Sequence, residues 1–266
     1  MRRVVLILRA DAVEDVLDRL LPLLPQGVHP ADVDDGVELA IYGGDVPSDR
    51  LEALAGDALR AIDEQDAPDD PRERRRRFGR TWEVGGRFVV RPSEAPESSG
   101  ALPELVIDSP AGAFGTGAHP TTRMCLELLL DLEPAGGFAD LGCGAGLLAI
   151  AAAALGYRPV FAVDHEARSV EATRRNAERN GVDVEVLQLD LLDVTPPPAP
   201  TLAANVPPAV HRALAKRLAP AVIHVIASGV ASTAVEDMLA VYGAAGFDPI
   251  DERGGAWRAV LLERRR

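Results

Sequence analysis

The sequence predicts an α/β protein. A mostly parallel sheet of seven strands alternates with helices, ends in an antiparallel hairpin, and follows a small α+β domain. Three observations predict it. Residues 138–164, FADLGCGAGLLAIAAAALGYRPVFAVD, read as strand, glycine turn, helix and strand, ending in an acid. From there to residue 245, apolar runs of strand length alternate with helical segments. Residues 247–252 and 257–263 then flank Gly254-Gly255 as a hairpin. A duplicated dinucleotide fold does not require that ending.

In chain order, residues 4–8 form an apolar strand, and Val13, Val16, Leu17, Leu20 and Leu21 recur at helical spacing. Residues 28–33 and 37–42 read as strands around the Asp34-Asp35-Gly36 turn. Ser48 or Asp49 can cap a helix carrying Leu51, Leu54, Leu59 and Ile62. The order βαββα suggests a ferredoxin-like layer, two helices on an antiparallel sheet. This part holds no candidate catalytic cluster; its acidic character suits a basic target, or equally a solvated face. Residues 66–77 hold Pro68, Pro71, Arg72 and the run Arg74 to Arg77, which reads as a solvated helix or linker before a nucleic-acid patch. Residues 81–84 and 87–90 make a hairpin about Gly85-Gly86. The Pro, Ser, Glu and Gly content after it marks a linker. The expected division is therefore 1–91, an amino-terminal recognition domain; 92–104, a linker; and 105–266, a ligand-binding domain.

Residues 105–122, LVIDSPAGAFGTGAHPTT, carry Gly112, Gly115 and Gly117, a loop suited to lie close to a ligand. His119 either bends that loop with Pro120 or acts directly in chemistry. Thr121 and Thr122 precede a helix at 123–130, where a hydroxyl can cap the helix or face a ligand. Gly142, Gly144 and Gly146 turn the chain tightly and leave no Cβ in a ligand's way. The helix that follows, 147–155, offers unpaired N–H groups and a positive dipole end. Asp164, just past the second strand, can accept hydrogen bonds from vicinal ribose hydroxyls. Asp190, after the strand at 184–187, either meets an adenine amine or simply ends a strand. Beyond it come a strand at 201–204, a helix at 209–218, a strand at 222–227, Ser228-Gly229, and a helix at 233–245. The unit expects a nucleoside-bearing ligand. Its G-x-G-x-G spacing departs from the G-x-G-x-x-G of dinucleotide sites.

A net charge of −13 disfavours direct nucleic-acid binding, which needs phosphate neutralisation, and leaves a basic protein partner open. The two cysteines, Cys125 and Cys143, lack metal-ligand spacing and read as reduced thiols, with no metal expected. No run of 18 apolar residues is present, so no membrane partner is expected. MRRVVLILRAD reads as a first strand rather than a signal peptide, and a cytoplasmic location is expected.

Several stretches together resemble the ribosomal protein L11 methyltransferases. They are AFGTGAHPTT (113–122), DLGCGAGLLAIAAAALG (140–156), VDHEARSVEATRRNAERNGV (163–182), AAN (203–205), SG (228–229) and WRAVLLERR (257–265). The resemblance is good from about residue 80 onward; before that it rests on domain size and element order. It implies a class I methyltransferase (Rossmann-like) sheet, S-adenosyl-L-methionine (SAM) as cofactor, and methylation of lysine or α-amino groups on ribosomal protein L11, a basic partner, by a monomer. It also implies site roles. Thr122 and Gly142 would contact the cofactor, with Gly144 and Gly146 in the same turn. Asp164 would take the ribose, and Asn205 would lie by the transferring methyl, with His119 the one nominated base. Ala118 replaces the family's usual Thr. Glu166 stands where a second Asp is usual and can still accept a hydroxyl bond. Val206-Pro207-Pro208 replaces an Ile-Leu-Ala-like run and bears on the acceptor more than the cofactor. A methyltransferase for another protein or a small molecule, or a SAM- or nucleotide-binding module without catalysis, are the rival readings.

Overall fold

The computed structural model describes residues 2–9, 12–20, 23–24, 29–33, 36–42, 46–66, 81–108, 119–255 and 257–265. The expected turn residues Asp34 and Asp35, the arginine-rich stretch 67–80, and loop residues 109–118, with their three glycines and Ala118, lie outside these. The chain divides into two compact units, Met1–Phe78 and Gly79–Arg266. That division falls ahead of the expected linker at 92–104.

The first unit runs β1 (Arg2–Leu8), α1 (Val13–Leu20), β2 (His29–Val33), β3 (Gly36–Tyr42), α2 (Ser48–Ala55) and β4 (Leu59–Asp66). Its sheet has the order β2-β3-β1-β4, antiparallel at every pairing. Val4, Leu6, Leu39 and Ile41 from the strands, with Val16, Leu20 and Leu51 from the helices, are buried in its core. The expected second helix is shorter than its periodicity suggests. Gly56 ends it with φ 54°, and Leu59 and Ile62 lie in β4. Apolar residues three apart suit a helix face, but here a glycine in the left-handed region stops the helix first.

The second unit opens with β5 (Trp82–Val84), β6 (Phe88–Arg91) and β7 (Glu104–Val106). Gly85 and Gly86, at φ 53° and 61°, supply the two positive-φ positions of a tight hairpin between β5 and β6. Residues 92–103 belong to this unit, because β7 pairs parallel with β6 and Arg91 Nε donates to Glu104 Oε2 at 2.6 Å across the strands. A three-strand sheet whose Val84, Phe88, Val90 and Leu105 join the core of this unit has no reason to separate at residue 92.

There follow α3 (Pro120–Leu130), β8 (Phe138–Leu141), α4 (Leu147–Leu155), β9 (Val160–Asp164), α5 (Ala167–Arg179), β10 (Glu185–Gln188), β11 (Thr201–Asn205), α6 (Pro208–Ala215), β12 (His224–Ala231), α7 (Val235–Ala244), β13 (Phe247–Gly254) and β14 (Trp257–Arg264). The seven strands β8 to β14 make one sheet in the order β10-β9-β8-β11-β12-β14-β13. Neighbours are parallel from β10 to β12, and β14 is antiparallel to both β12 and β13. Alternate strand residues face opposite cores. Phe138, Ala162, Ala203 and Ile226 pack with α3, α4 and α5. Leu141, Val163, Leu202, Val225 and Val260 pack with α6 and α7. Residues 147–153 are all buried, and their alanines let α4 lie close on the sheet. The chain steps outward from β8 to β10, then returns to β8's other side as β11. That reversal opens a crevice at the strands' carboxyl ends, where α/β sheets bind ligands.

Two boundaries differ from expectation in ways that matter to the site. Helix α3 begins at Pro120, three residues before the expected start at 123. Pro fits the first helical position because it lacks an N–H and has its φ already set. Thr121 and Thr122 are thus buried within the first turn, and His119 is the cap. Ser228-Gly229 does not follow β12 but lies inside it, at a register irregularity between Ala227 and Val230.

Candidate active site

The glycine turn leaves β8 between Leu141 and Leu147, with Gly142, Gly144 and Gly146 at φ 81°, 56° and 84°. The N–H groups of Gly142 and Cys143 donate to the Val163 carbonyl at 2.8 and 2.9 Å, tying the turn to the end of β9. Asp164 completes that tie. Its Oδ2 accepts the Gly144 N–H at 3.0 Å and its Oδ1 the Glu166 N–H at 2.9 Å. Asp164 as a whole residue is 8% exposed. Two backbone bonds fix its direction and leave lone pairs over, since an ionised carboxylate offers about four.

Beneath the turn, Asp140 is 2% exposed and accepts the Ala149 N–H at 3.1 Å. Burial pushes its carboxyl up to about 7; the Ala149 bond opposes this, and the nearby Asp164 charge adds to it. Burial also raises both thiols, Cys125 to about 12. Thr173 Oγ1 donates to the Gly144 carbonyl at 3.0 Å, so α5 braces the turn from behind. Asn176 Nδ2 donates to Ala145 O at 2.9 Å and to Asp108 O at 2.7 Å. One side chain thus joins the turn to Asp108.

Across the crevice, β11 ends in Asn205. Its Nδ2 donates to Thr121 Oγ1 at 3.1 Å and reaches Thr122 Oγ1 at 3.4 Å. Thr121 Oγ1 lies 2.7 Å from His119 Nδ1, which also accepts the Thr121 backbone N–H at 3.3 Å. A backbone N–H only donates, so Nδ1 is an acceptor and the neutral ring carries its proton on Nε2. The Thr121 hydroxyl therefore donates to His119 and accepts from Asn205. His119 in turn meets the Trp257 ring edge-on, centroids 4.9 Å apart.

The predicted site residues accordingly fall into two adjacent groups and two outliers. Gly142, Gly144, Gly146 and Asp164 form the first group. His119, Thr122 and Asn205 form the second, on the neighbouring strand end. Glu166 lies at the start of α5, its carboxylate held by Arg168 at 2.7 and 3.0 Å, which lowers its pKa. Asp190 is exposed past β10, where its Oδ1 accepts the Leu192 N–H at 2.9 Å. The structure adds the role of Thr121, whose hydroxyl connects Asn205 to His119, and brings Trp257 against His119. Thr121 was legible as half of a Thr-Thr pair. Trp257 is brought to His119 only by the return of β14, which no local pattern announces.

This sheet order, with a glycine turn and a strand-end acid at the topological reversal, defines an α/β fold of the class I methyltransferase type. The crystal structure of ribosomal protein L11 methylase from Lactobacillus delbrueckii subsp. bulgaricus shares it, with a TM-score of 0.61 and 23% identity over 70% of this chain and 99% of that one. The chain belongs to the ribosomal protein L11 methyltransferase (PrmA) family, whose model matches residues 73–265. The matched span begins near the start of the second unit. Relatives named ribosomal protein L11 methyltransferase include one from Caldanaerobacter subterraneus subsp. tengcongensis, 37% identical over 64% of this chain and 52% of its own length. Another, from Pseudomonas putida, is 40% identical over 71% of this chain and 64% of its own. The chain thus spans between half and two thirds of the length of these relatives. Among the described residues no helix is long and apolar enough to cross a membrane.

Proposed function

We propose that the chain is a SAM-dependent protein N-methyltransferase that methylates lysine or α-amino groups of ribosomal protein L11. Family membership and the names of the relatives support the activity and the substrate. The donor set supports the cofactor. Asp164 has carboxylate lone pairs left for vicinal hydroxyls, beside a turn whose glycines admit close approach. Gly142 and Gly144 with Asp164 would hold the nucleoside, and Thr122 would face it from α3. When bound, SAM supplies an electrophilic methyl on a sulfonium.

The observation that carries the reading is the orientation of Asn205. Its amide nitrogen is committed to Thr121 and Thr122. That leaves the carbonyl Oδ1 for the N–H of an incoming amine. Pro207 and Pro208 follow closely, and neither has a backbone N–H. The loop beside Asn205 therefore presents two fewer competing donors to a group that needs acceptors. A lysine amine, with pKa about 10.4 in water, must lose its proton to attack. Desolvation beside a sulfonium favours the neutral form. Asn205 would then aim its lone pair, and holding both reactants in line can contribute about 7–11 kcal/mol.

His119 serves in this reading as a cap and an orienting group rather than a base, because its Nδ1 lone pair already receives the Thr121 donors. We assign the first unit, whose strand order and two helices fit a ferredoxin-like layer, to recognition of the basic substrate, and we assign a monomeric, cytoplasmic enzyme without direct nucleic-acid contact. Methyl transfer from labelled SAM onto purified ribosomal proteins tests the function. Label on L11 supports it; label confined to another acceptor, or SAM binding without transfer, supports a rival.

A further inference from the structure

Behind Asn205 lies a buried polar chain that the reaction above leaves unused. His211 on α6 is 1% exposed and Tyr242 on α7 is 0% exposed. His211 Nε2 is 2.8 Å from the Ser228 carbonyl oxygen, and Nδ1 is 2.9 Å from the Tyr242 hydroxyl. A carbonyl only accepts, so Nε2 carries the proton and Nδ1 accepts the Tyr242 O–H. Burial pushes the ring's pKa down to about 4, against opposing bonds to the Ser228 and Val206 backbone, so the ring is neutral at neutral pH.

The same Ser228 carbonyl accepts the Val206 N–H at 3.0 Å. Ser228 Oγ donates to the Arg258 carbonyl at 2.7 Å, tying this point to β14. Gly229, at φ 89°, lets the β12 backbone come in so closely that a Cβ there would lie 2.6 Å from both N and O of Val206. On its other side Val206 meets the cofactor turn, where a Cβ on Gly142 would lie 2.5 Å from Val206 Cγ1. The peptide after Asn205 is therefore held between the glycine turn and β12. One side of that hold is a hydrogen bond whose acceptor is fixed by an imidazole.

We propose that His211 is a positioning residue: its Nε2–H, oriented by Tyr242, fixes the Ser228 carbonyl that holds the Val206 amide, and so sets the direction in which Asn205 faces the acceptor amine. The proposal rests on the methyl-transfer reading above. A histidine that merely fills the core would stabilise the protein without selectively affecting turnover. The two roles separate in what a geometric mimic restores.

The test uses the full chain as wild type, His211→Leu, His211→Gln and Tyr242→Phe. It reads hydrogen exchange at the Val206 amide, kcat, SAM affinity by calorimetry, and thermal midpoint. In His211→Leu, Val206 exchange speeds up and kcat falls about tenfold or more, while SAM affinity stays within about threefold. His211→Gln, whose amide can present an N–H in place of Nε2, recovers most of both. Tyr242→Phe falls between. Val206 exchange and kcat unchanged in His211→Leu would overturn the proposal. So would a parallel loss of kcat, SAM affinity and thermal midpoint that His211→Gln does not relieve. Should His211→Leu fail to fold, Tyr242→Phe matching wild type in both exchange and kcat overturns it. If wild type transfers no methyl yet Val206 exchange depends on His211, the methyl-transfer reading falls and the hold on Val206 stands.

Discussion

Asn205 donates an amide N–H to Thr121 Oγ1, across 84 residues of sequence, at 3.1 Å. That bond decides which end of the amide faces the crevice. Replacing Asn205 with Ala removes the carbonyl proposed to orient the amine but leaves the glycine turn and Asp164 in place. Turnover falls about a hundredfold while SAM affinity changes by less than about threefold. Single-turnover methyl transfer paired with calorimetry checks this; equal losses in both would remove the orienting role.

His119 caps α3 through Nδ1. Asn is among the best capping residues and cannot serve as a base at neutral pH. His119→Asn therefore keeps kcat within about fivefold of wild type. A proton-accepting role would instead cost on the order of 10²–10⁴-fold. His119→Ala loses the cap and about 1 kcal/mol of stability, seen in urea unfolding.

The glycine turn and its acid were legible in the sequence because they are local: strand, turn, helix and strand lie within residues 138–164 and each carries its own signal. The order of α and β segments likewise announced the seven-stranded sheet. Less legible were features set by neighbours distant in sequence. Leu59 and Ile62 fit a helix until Gly56 ends it, and their strand pairs with β1, some 55 residues away. Ser228-Gly229 reads as a strand end, yet it lies inside β12 at a register irregularity, with Gly229 close against the Val206 backbone. The proline-rich stretch before β7 reads as a linker because composition does not reveal the Arg91–Glu104 tie.

Val206 and Gly142 are a mutually fitted pair. Gly142→Ala adds a Cβ 2.5 Å from Val206 Cγ1 at a φ of 81°. It destabilises by roughly 1–3 kcal/mol. Adding Val206→Ala relieves the clash but not the backbone strain, so the double mutant is more stable than the sum of the single changes predicts. Chemical unfolding of the four proteins in a double-mutant cycle measures this coupling.

Asp140 gives the protein a pH signature. Its carboxyl is raised in the fold to about 7 from 3.8, first by burial. The folded state therefore binds this proton more tightly than the unfolded chain does. The stability it contributes is fully present below about pH 4 and is lost as pH rises through about 7. His211, lowered to about 4 from 6.5, acts in the opposite sense: its contribution is present above about 6.5 and is lost as pH falls through about 4. Comparing Asp140→Asn with wild type isolates the first effect. The variant gains stability relative to wild type as pH rises from 4 to 8. A difference that stays flat across that range would show that Asp140 titrates normally.

Calorimetric titration of the full chain with SAM, in wild type and Asp164→Asn, with NAD alongside, bears most directly on the proposed nucleoside site. Wild type binds SAM at one site and does not bind NAD. Asp164→Asn, which loses the charge and one acceptor oxygen, weakens SAM about tenfold or more, in keeping with about 1.5–3 kcal/mol for a hydrogen bond to a charged group. SAM affinity unaltered in Asp164→Asn, or NAD bound more tightly than SAM, would contradict a site built on that carboxylate.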